Sequence, residues 1–382
     1  MTVAINGSLG QPYATLFYQL FTIWPLWFHN HMTLPKHAKK HHFATHINRI
    51  SRLVAWVESS LRQNERFAGQ LSQLNDQPAA LRSGVACIAV MKNERPRIDD
   101  FLNHYRSLGV SGFVLIDNGS TDGSLEVALA QPDCSVFSTA SSYSASGFGS
   151  RWINAAVGLC GLGNRWLVVA DLDELLVYDQ CETHRLADLA RLLERAGLDA
   201  LPCLMLDMYD DGSTDQHNYV AGASMIDASP MFDATGYGRE PSFLKSLFPG
   251  KALAIAGGPR ARTMFSQSDA SHMLPYLHKV PLMRWTPDAG MRTSHEVDPM
   301  IRNTSPVRGA LLHFKFLNAP ELTDKNRLLE LDHWNNNKQQ AKYFENLGET
   351  AGATFMFEHS ARYDSSQSLV HHGLISQLDW AT

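Results

Sequence analysis

Between Val85 and Met208, short apolar runs alternate with stretches whose apolar residues recur at helical spacing. Residues 85–91, 112–117, 135–138, 166–170 and 201–208 read as strands, and 98–108, 124–130, 151–159 and 186–196 as helices. In the first helical stretch Ile98, Phe101, Leu102, Tyr105 and Leu108 form a stripe, and Gly109 suits its end. Strands alternating with helices predict an α/β layered fold on a mainly parallel central sheet. Ligands of such sheets bind beyond the carboxyl ends of the strands.

One of those ends is unusual. The run 166–170 is followed by two acids one residue apart, Asp171 and Asp173, and then by Glu174. Alternate residues of a strand face the same way, so Asp171 and Asp173 are expected to leave it on one side. Two carboxylates there repel each other and lose solvation, and a divalent cation offsets both costs. That is the logic of an Asp-x-Asp motif, in which a metal ion bridges protein and nucleotide diphosphate. A solvated turn is the plainer reading of the same residues. Asn93-Glu94 and Asp117-Asn118-Gly119-Ser120 fall at two further strand ends.

Composition narrows the class. The chain has 382 residues, 44% hydrophobic and 19% charged, which suits one large domain or one domain with appendages. A net charge of -5 gives no basic field for nucleic acid. Five scattered cysteines without a C-x-x-C pair read as reduced thiols in a cytoplasmic setting, and not as a zinc site. No apolar run reaches the ~20 residues that span a bilayer. The nearest, 16–28, is broken by Pro25, and its basic stretch, 36–42, follows it, unlike a signal peptide. Trp24, Trp27 and Phe28 beside that tract suit peripheral contact of residues 16–42 with an anionic inner membrane face, or packing on the main domain.

Residues 1–82 read as an appendage with an amphipathic helix over 47–74, marked by Ile50, Leu53, Val54, Val57 and Leu61. The stretch 75–84 reads as a linker, 83–350 as the main domain and 351–382 as a tail. Beyond residue 210 the pattern loosens to a strand at 311–317 and a helix at 322–346.

An ordered set of short motifs then carries a resemblance. Met91-Lys-Asn-Glu94, Phe101-Leu-Asn-His-Tyr105, Leu108-Gly-Val110, Ile116-Asp-Asn-Gly-Ser-Thr-Asp-Gly123 and Asp171-Leu-Asp-Glu174 come first. Gly257-Gly-Pro-Arg260, Lys279-Val-Pro-Leu282, Ser294-His295 and Gly309-Ala-Leu-Leu-His-Phe-Lys315 follow. Together they resemble family 2-like glycosyltransferases of the GT-A fold, over residues 85 to about 345. The resemblance implies a first half that binds a nucleotide-activated sugar through Asn93, Glu94, Asp117 and Asn118. A carboxylate such as Glu94 or Asp117 can accept from a ribose or base edge. Turn and helix-cap chemistry accounts for 118–123 equally well. Arg151 and Asn154 match polar positions near the donor; Arg151 suits a phosphate or a strand-edge cap. Asp171 and Asp173 would hold Mn²⁺ or Mg²⁺, with His313, or failing that His295, as a further ligand, and nitrogen ligation favours Mn²⁺. A satisfied core histidine is the alternative for His313.

Inverting transfer needs a base for the acceptor hydroxyl. No acid closely follows Arg260, a departure from the family pattern. Asp207, after an apolar strand, comes first, then Asp210, Asp211, Glu240 and Glu296, with His295 as a further catalytic candidate. Arg260 and Arg262 suit phosphate or acceptor, and Lys279 and Lys315 are further cationic candidates, each with a salt bridge as its alternative. The implied activity is metal-dependent transfer of a sugar from a nucleotide sugar to a hydroxyl of a glycan or lipid-linked acceptor. Nucleotidyl transfer, or a non-catalytic nucleotide- or sugar-binding scaffold, are the alternatives. A dehydrogenase is disfavoured because no G-x-G-x-x-G follows the first strand.

Overall fold

The structure is a computed structural model that describes residues 64–212, 219–240, 254–264, 275–317 and 354–381. The segment 16–42, most of the helix expected over 47–74 and the helix expected over 322–346 lie outside the described residues.

The described chain opens with β1 (Ser72–Gln73), β2 (Val85–Met91), α1 (Ile98–Ser107), β3 (Val110–Asp117), α2 (Ser124–Leu129), β4 (Cys134–Ser138), α3 (Ser150–Leu159) and β5 (Arg165–Val169). It continues through β6 (Glu174–Val177), α4 (Leu186–Arg195), β7 (Ala200–Asp207), α5 (Met225–Ala228), β8 (Met231–Asp233), β9 (Gly238–Glu240) and β10 (Ala254–Ala256). Then come α6 (Gly258–Met264), β11 (His278–Trp285), β12 (Gly290–Met291), β13 (Val297–Asp298), β14 (Gly309–His313), β15 (Ser360–Arg362) and α7 (Ser366–His371). From Val85 to Asp207 the helices, and all the strands except β6, follow the periodicity closely. The α/β layered fold with a mainly parallel sheet is the one observed.

The central sheet runs β1-β4-β3-β2-β5-β11-β7-β14-β6. Strands β4, β3, β2, β5, β7 and β14 share one direction, whereas β1, β11 and β6 oppose it. Strand β2 is apolar throughout because both its faces are covered. Cys87, Ala89 and Met91 meet Phe101, Leu102 and Tyr105 of α1, and Leu186, Leu189 and Leu193 of α4 join the same core. Ala86 and Ile88 face the other way, into a core with Trp152, Ile153 and Ala156 of α3.

Three sequence expectations change. β11 goes unmarked in the sequence because Pro281 interrupts it, and a proline argues against a central strand. Its pairing with β7 shifts register between Lys279 and Leu282, and that irregularity accommodates the proline. Residues 72–73 form a strand instead of continuing a helix, and 75–84 are packed: Leu81 is buried, and Asn75 bonds to Val136 N and Cys134 O. The compact unit that holds the sheet begins at Gln63.

Residues 354–381, expected as a tail, are part of the core. β15 pairs with β8. Glu182 accepts from Ser366 N and Oγ at the start of α7, and Asp179 accepts from Gln367 Nε2 and Leu378 N. No helix of the described residues is long and apolar enough to cross a membrane.

Leu369 in α7 is fully buried at 0% exposure. Leu369→Ala is expected to lower stability by about 2–5 kcal/mol, read as a fall in the urea midpoint; an appended tail would give no shift.

Candidate active site

The chain leaves β2 for β3 and β4 on one side and later places β5 on the other. That reversal opens a crevice beyond the carboxyl ends of β2 and β5, where open α/β sheets bind ligands. The loops 92–97, 118–123 and 170–173 all emerge on this edge. Asp207 ends β7 and His313 ends β14, directly opposite one another in register. Because β11 runs the other way, its first residues, His278 and Lys279, arrive at the same edge.

The first two loops are zipped together by side chains. The N–H groups of Asn93, Glu94 and Arg95 donate to Ser120 Oγ (2.9 Å), Ser124 Oγ (2.7 Å) and Asp122 Oδ2 (2.9 Å). In return Asn93 Oδ1 accepts from Thr121 N at 2.8 Å. Asn93 holds a left-handed φ of 57°, a conformation asparagine tolerates better than most residues. Asp117, expected to carry nucleotide, is buried and accepts from the backbone N–H groups of Gly119 and Ser120. Its carboxylate is spent on holding its own turn. Asn118 Nδ2 donates to the carbonyls of Thr139 and Ser141. Glu94 Oε2 accepts from Arg97 Nε at 2.6 Å, and burial raises its pKa against that pairing. The cap-and-turn reading therefore holds for these loops, and Glu94 Oε1, Asn118 Oδ1 and Asn93 Nδ2 have no hydrogen bond among the described residues.

The acid pair departs from its expected geometry. Strand β5 stops at Val169, so Asp171 and Asp173 stand on the turn to β6, closed by Glu174 N donating to Asp171 O at 3.0 Å. Their side chains diverge. Asp171 Oδ2 lies 2.8 Å from Lys279 Nζ, which also reaches both oxygens of the buried Glu174 at 2.9 and 2.7 Å. Burial alone would lower the pKa of Lys279, but Asp171 and Glu174 outweigh it and hold the ammonium protonated. Asp173 Oδ2 stands 3.5 Å from His313 Nε2, while His313 Nδ1 meets Asp207 Oδ1 at 2.6 Å. The other oxygen of Asp207 takes Arg260 Nε at 2.6 Å. Burial raises and His313, Lys315 and Arg97 lower the pKa of Asp173, and the cations win by a wide margin. Two groups of ion pairs thus line the edge, Lys279 with Asp171 and Glu174, and the series Asp173, His313, Asp207 and Arg260.

This arrangement reassigns several expected roles. His313, expected as a metal ligand, has both ring nitrogens held between carboxylates and serves as a bridge. Asp207, expected as the base, is closed off with both oxygens engaged, so it cannot meet an acceptor. Arg260, expected at phosphate, is an ion-pair partner of Asp207. Asn154 is committed to the backbone of Met291, donating to its carbonyl and accepting from its N–H. Arg151 donates to Ala145 O and lies over the Phe67 ring at 5.3 Å. Asp211 is exposed beyond β7. His295 Nδ1 bonds to His278 O at 2.8 Å, which fixes Nδ1 as the donor and leaves Nε2 with its lone pair. Burial and then Lys279 lower the His295 pKa to about 4, so this imidazole is neutral at neutral pH.

The acid pair fits a divalent cation in a limited way. Among the described residues no group of three or more His, Cys, Asp or Glu side chains is arranged to hold a metal ion by itself. Asp171 is 48% exposed and keeps one oxygen without a partner among them. Mg²⁺ commonly binds through one or two carboxylates, waters and substrate phosphates, which suits Asp171 and Asp173. All five cysteines are buried and none is in a disulfide.

Sequence reasoning gave Glu174 no role and Lys279 only a generic one. Their signal is a charged residue inside an otherwise apolar run, at Glu174 before Leu175-Leu-Val177 and at Lys279 before Val280.

No family model matches the chain, and no curated protein does. Among solved structures, a 4-diphosphocytidyl-2C-methyl-D-erythritol synthase aligns with 37% of this chain and 66% of its own, at 16% identity and a TM-score of 0.24. This chain therefore spans a little under two thirds of that structure. A UDP-glucose pyrophosphorylase from acinetobacter baumanii aligns with 70% of this chain and 84% of its own, at 11% identity and a TM-score of 0.24. Neither likeness bears on the chemistry, which rests on the site geometry.

The His313 bridge has a pH signature. Burial lowers its pKa, but Asp173 and Asp207 together outweigh that and raise it. A raised folded pKa means a contribution that is full below the unfolded value of about 6.5 and is lost as pH climbs through the folded value. Urea midpoints measured above pH 6.5 are expected to fall with pH in the wild type, and His313→Gln is expected to flatten that fall.

Proposed function

We propose that the chain is a nucleotide-sugar-dependent glycosyltransferase, moving a sugar to a hydroxyl of a glycan or lipid-linked acceptor. The observation that carries this reading is the Asp171–Asp173 turn, set at the crevice between β2 and β5 with the 92–97 and 118–123 loops beside it. The nucleotide would lie over those loops, meeting the open atoms of Glu94, Asn118 and Asn93, and its diphosphate would lie against the acid turn. A divalent cation arriving with the donor would neutralise charge on the departing diphosphate. Among the described residues, His295 Nε2 and the Asp211 carboxylate are acceptors for the proton of the acceptor hydroxyl that take no part in holding the protein together. His295 is favoured by its place, because its ring is held by the carbonyl of His278, the neighbour of Lys279 on β11.

Nucleotidyl transfer would use the same edge. Against it, the N–H groups of residues 93–95, where a phosphate-cradling loop would offer donors, are spent on Ser120, Ser124 and Asp122. Arg95 is also paired with Asp99, and Arg97 with Glu94.

Two incubations separate the readings. With nucleoside-diphospho-sugars, Mn²⁺ and a hydroxyl acceptor, nucleoside diphosphate should be released; with nucleoside triphosphates and sugar 1-phosphates, pyrophosphate should not. The opposite result would establish nucleotidyl transfer. Asp173→Asn is expected to abolish release with the fold intact by circular dichroism. His295→Gln should lower kcat by about 100-fold or more with little change in KM, the loss expected for a general base; an unchanged kcat would pass the role to Asp211.

A further inference from the structure

Two carboxylates at the mouth of a crevice repel a diphosphate, so a site for that anion also needs positive charge. Five basic side chains act on the acid pair or its immediate partners. Lys279 gives three hydrogen bonds to Asp171 and Glu174. Arg260 is engaged by Asp207, His313 by Asp207 and Asp173, and Arg97 by Glu94. Lys315 differs: it follows Phe314, whose N–H bonds the backbone of Asp173, and it has no hydrogen bond or ion pair among the described residues.

Its position is also fixed. Phe314 N donates to Asp173 O at 2.8 Å, which ties the turn after β14 directly to the acid turn. Phe314 and Phe316 are buried at 0% and 2% exposure, and Phe316 packs on Phe355 with ring centroids 4.4 Å apart. The backbone is anchored on both sides of Lys315, which is left partly buried between two sunken neighbours. Holding a partly desolvated ammonium beside the crevice without an acceptor is unfavourable until an anion supplies one.

Building on the nucleotide-diphosphate reading, we infer that Lys315 is the anion-binding cation of this site, pairing with the phosphates of a nucleoside diphosphate that lies against the Asp171–Asp173 turn. It would hold the donor and also the departing diphosphate. Lys279, by contrast, is a positioning residue, because its ammonium is fully committed to protein.

Calorimetric titration tests this with UDP, GDP, CDP, ADP and dTDP and the matching nucleosides, in Mg²⁺, on wild type, Lys315→Met, Lys315→Arg and Lys92→Met. Lys92 lies on the same edge but is exposed, and controls for general charge. Lys315→Met is expected to weaken the bound nucleoside diphosphate by about 10- to 100-fold, the range for losing one charged hydrogen bond. Nucleoside affinity and the urea midpoint should not change, Lys315→Arg should keep most of the affinity, and Lys92→Met should match wild type. A Lys315→Met protein that binds the diphosphate as wild type does, or loses nucleoside equally, overturns the inference and leaves the diphosphate reading standing. Wild type that binds none of the five overturns both.

Discussion

The edge of this sheet depends on one buried ammonium. Lys279 enters at the start of β11, 2% exposed, and joins the turn after β5 to the first residue of β6 through Asp171 and Glu174. A buried ion pair of this kind adds little net stability over an apolar replacement, yet removing one partner leaves an uncompensated charge that costs about 3–5 kcal/mol. Its effect is therefore on arrangement. By claiming Asp171 Oδ2 it turns the other oxygen of that carboxylate outward, and by neutralising Glu174 it lets a strand begin with an acid in the core. A second group of ion pairs, from Asp173 through His313 and Asp207 to Arg260, joins the ends of β14 and β7 and helix α6 to the same edge.

The first half of the fold was legible because its contacts are local in pattern. Helix α1 carries its core stripe in ten residues, and β2 is apolar from end to end. The second half was not, for reasons that particular residues supply. Pro281 masks β11, whose register shift is invisible without the neighbouring strand. β6 is four residues long and begins with Glu174, so nothing in its sequence separates it from the loop before it. The ion pairs that organise the site join residues about a hundred positions apart, and no sequence spacing encodes them.

For the site itself, the acids and loops were found, while their roles needed geometry. Ser120 and Asp122 read equally as ligand contacts or caps, and the structure uses both, with Ser124, to satisfy backbone N–H groups of the neighbouring loop. His313 was singled out for good reason, since an imidazole at the end of an apolar strand needs partners. Those partners are two carboxylates, Asp207 at Nδ1 and Asp173 beside Nε2. His295, ranked below it, is the ring whose tautomer leaves a lone pair on Nε2.

The placement of β11 between β5 and β7 has a consequence for how the chain is made. During synthesis β5 and β7 are both complete long before residues 278–285 emerge, and β14 arrives later still. Until then two apolar strands that will be neighbours of β11 present open edges, the feature that invites pairing with other chains. Closing such a sheet requires contacts of large sequence separation, which form slowly and leave partly built intermediates exposed. The strand that delivers Lys279 to the acids is thus also the one that joins β5 to β7, so that charge neutralisation at the edge and the joining of the sheet across β11 are one event.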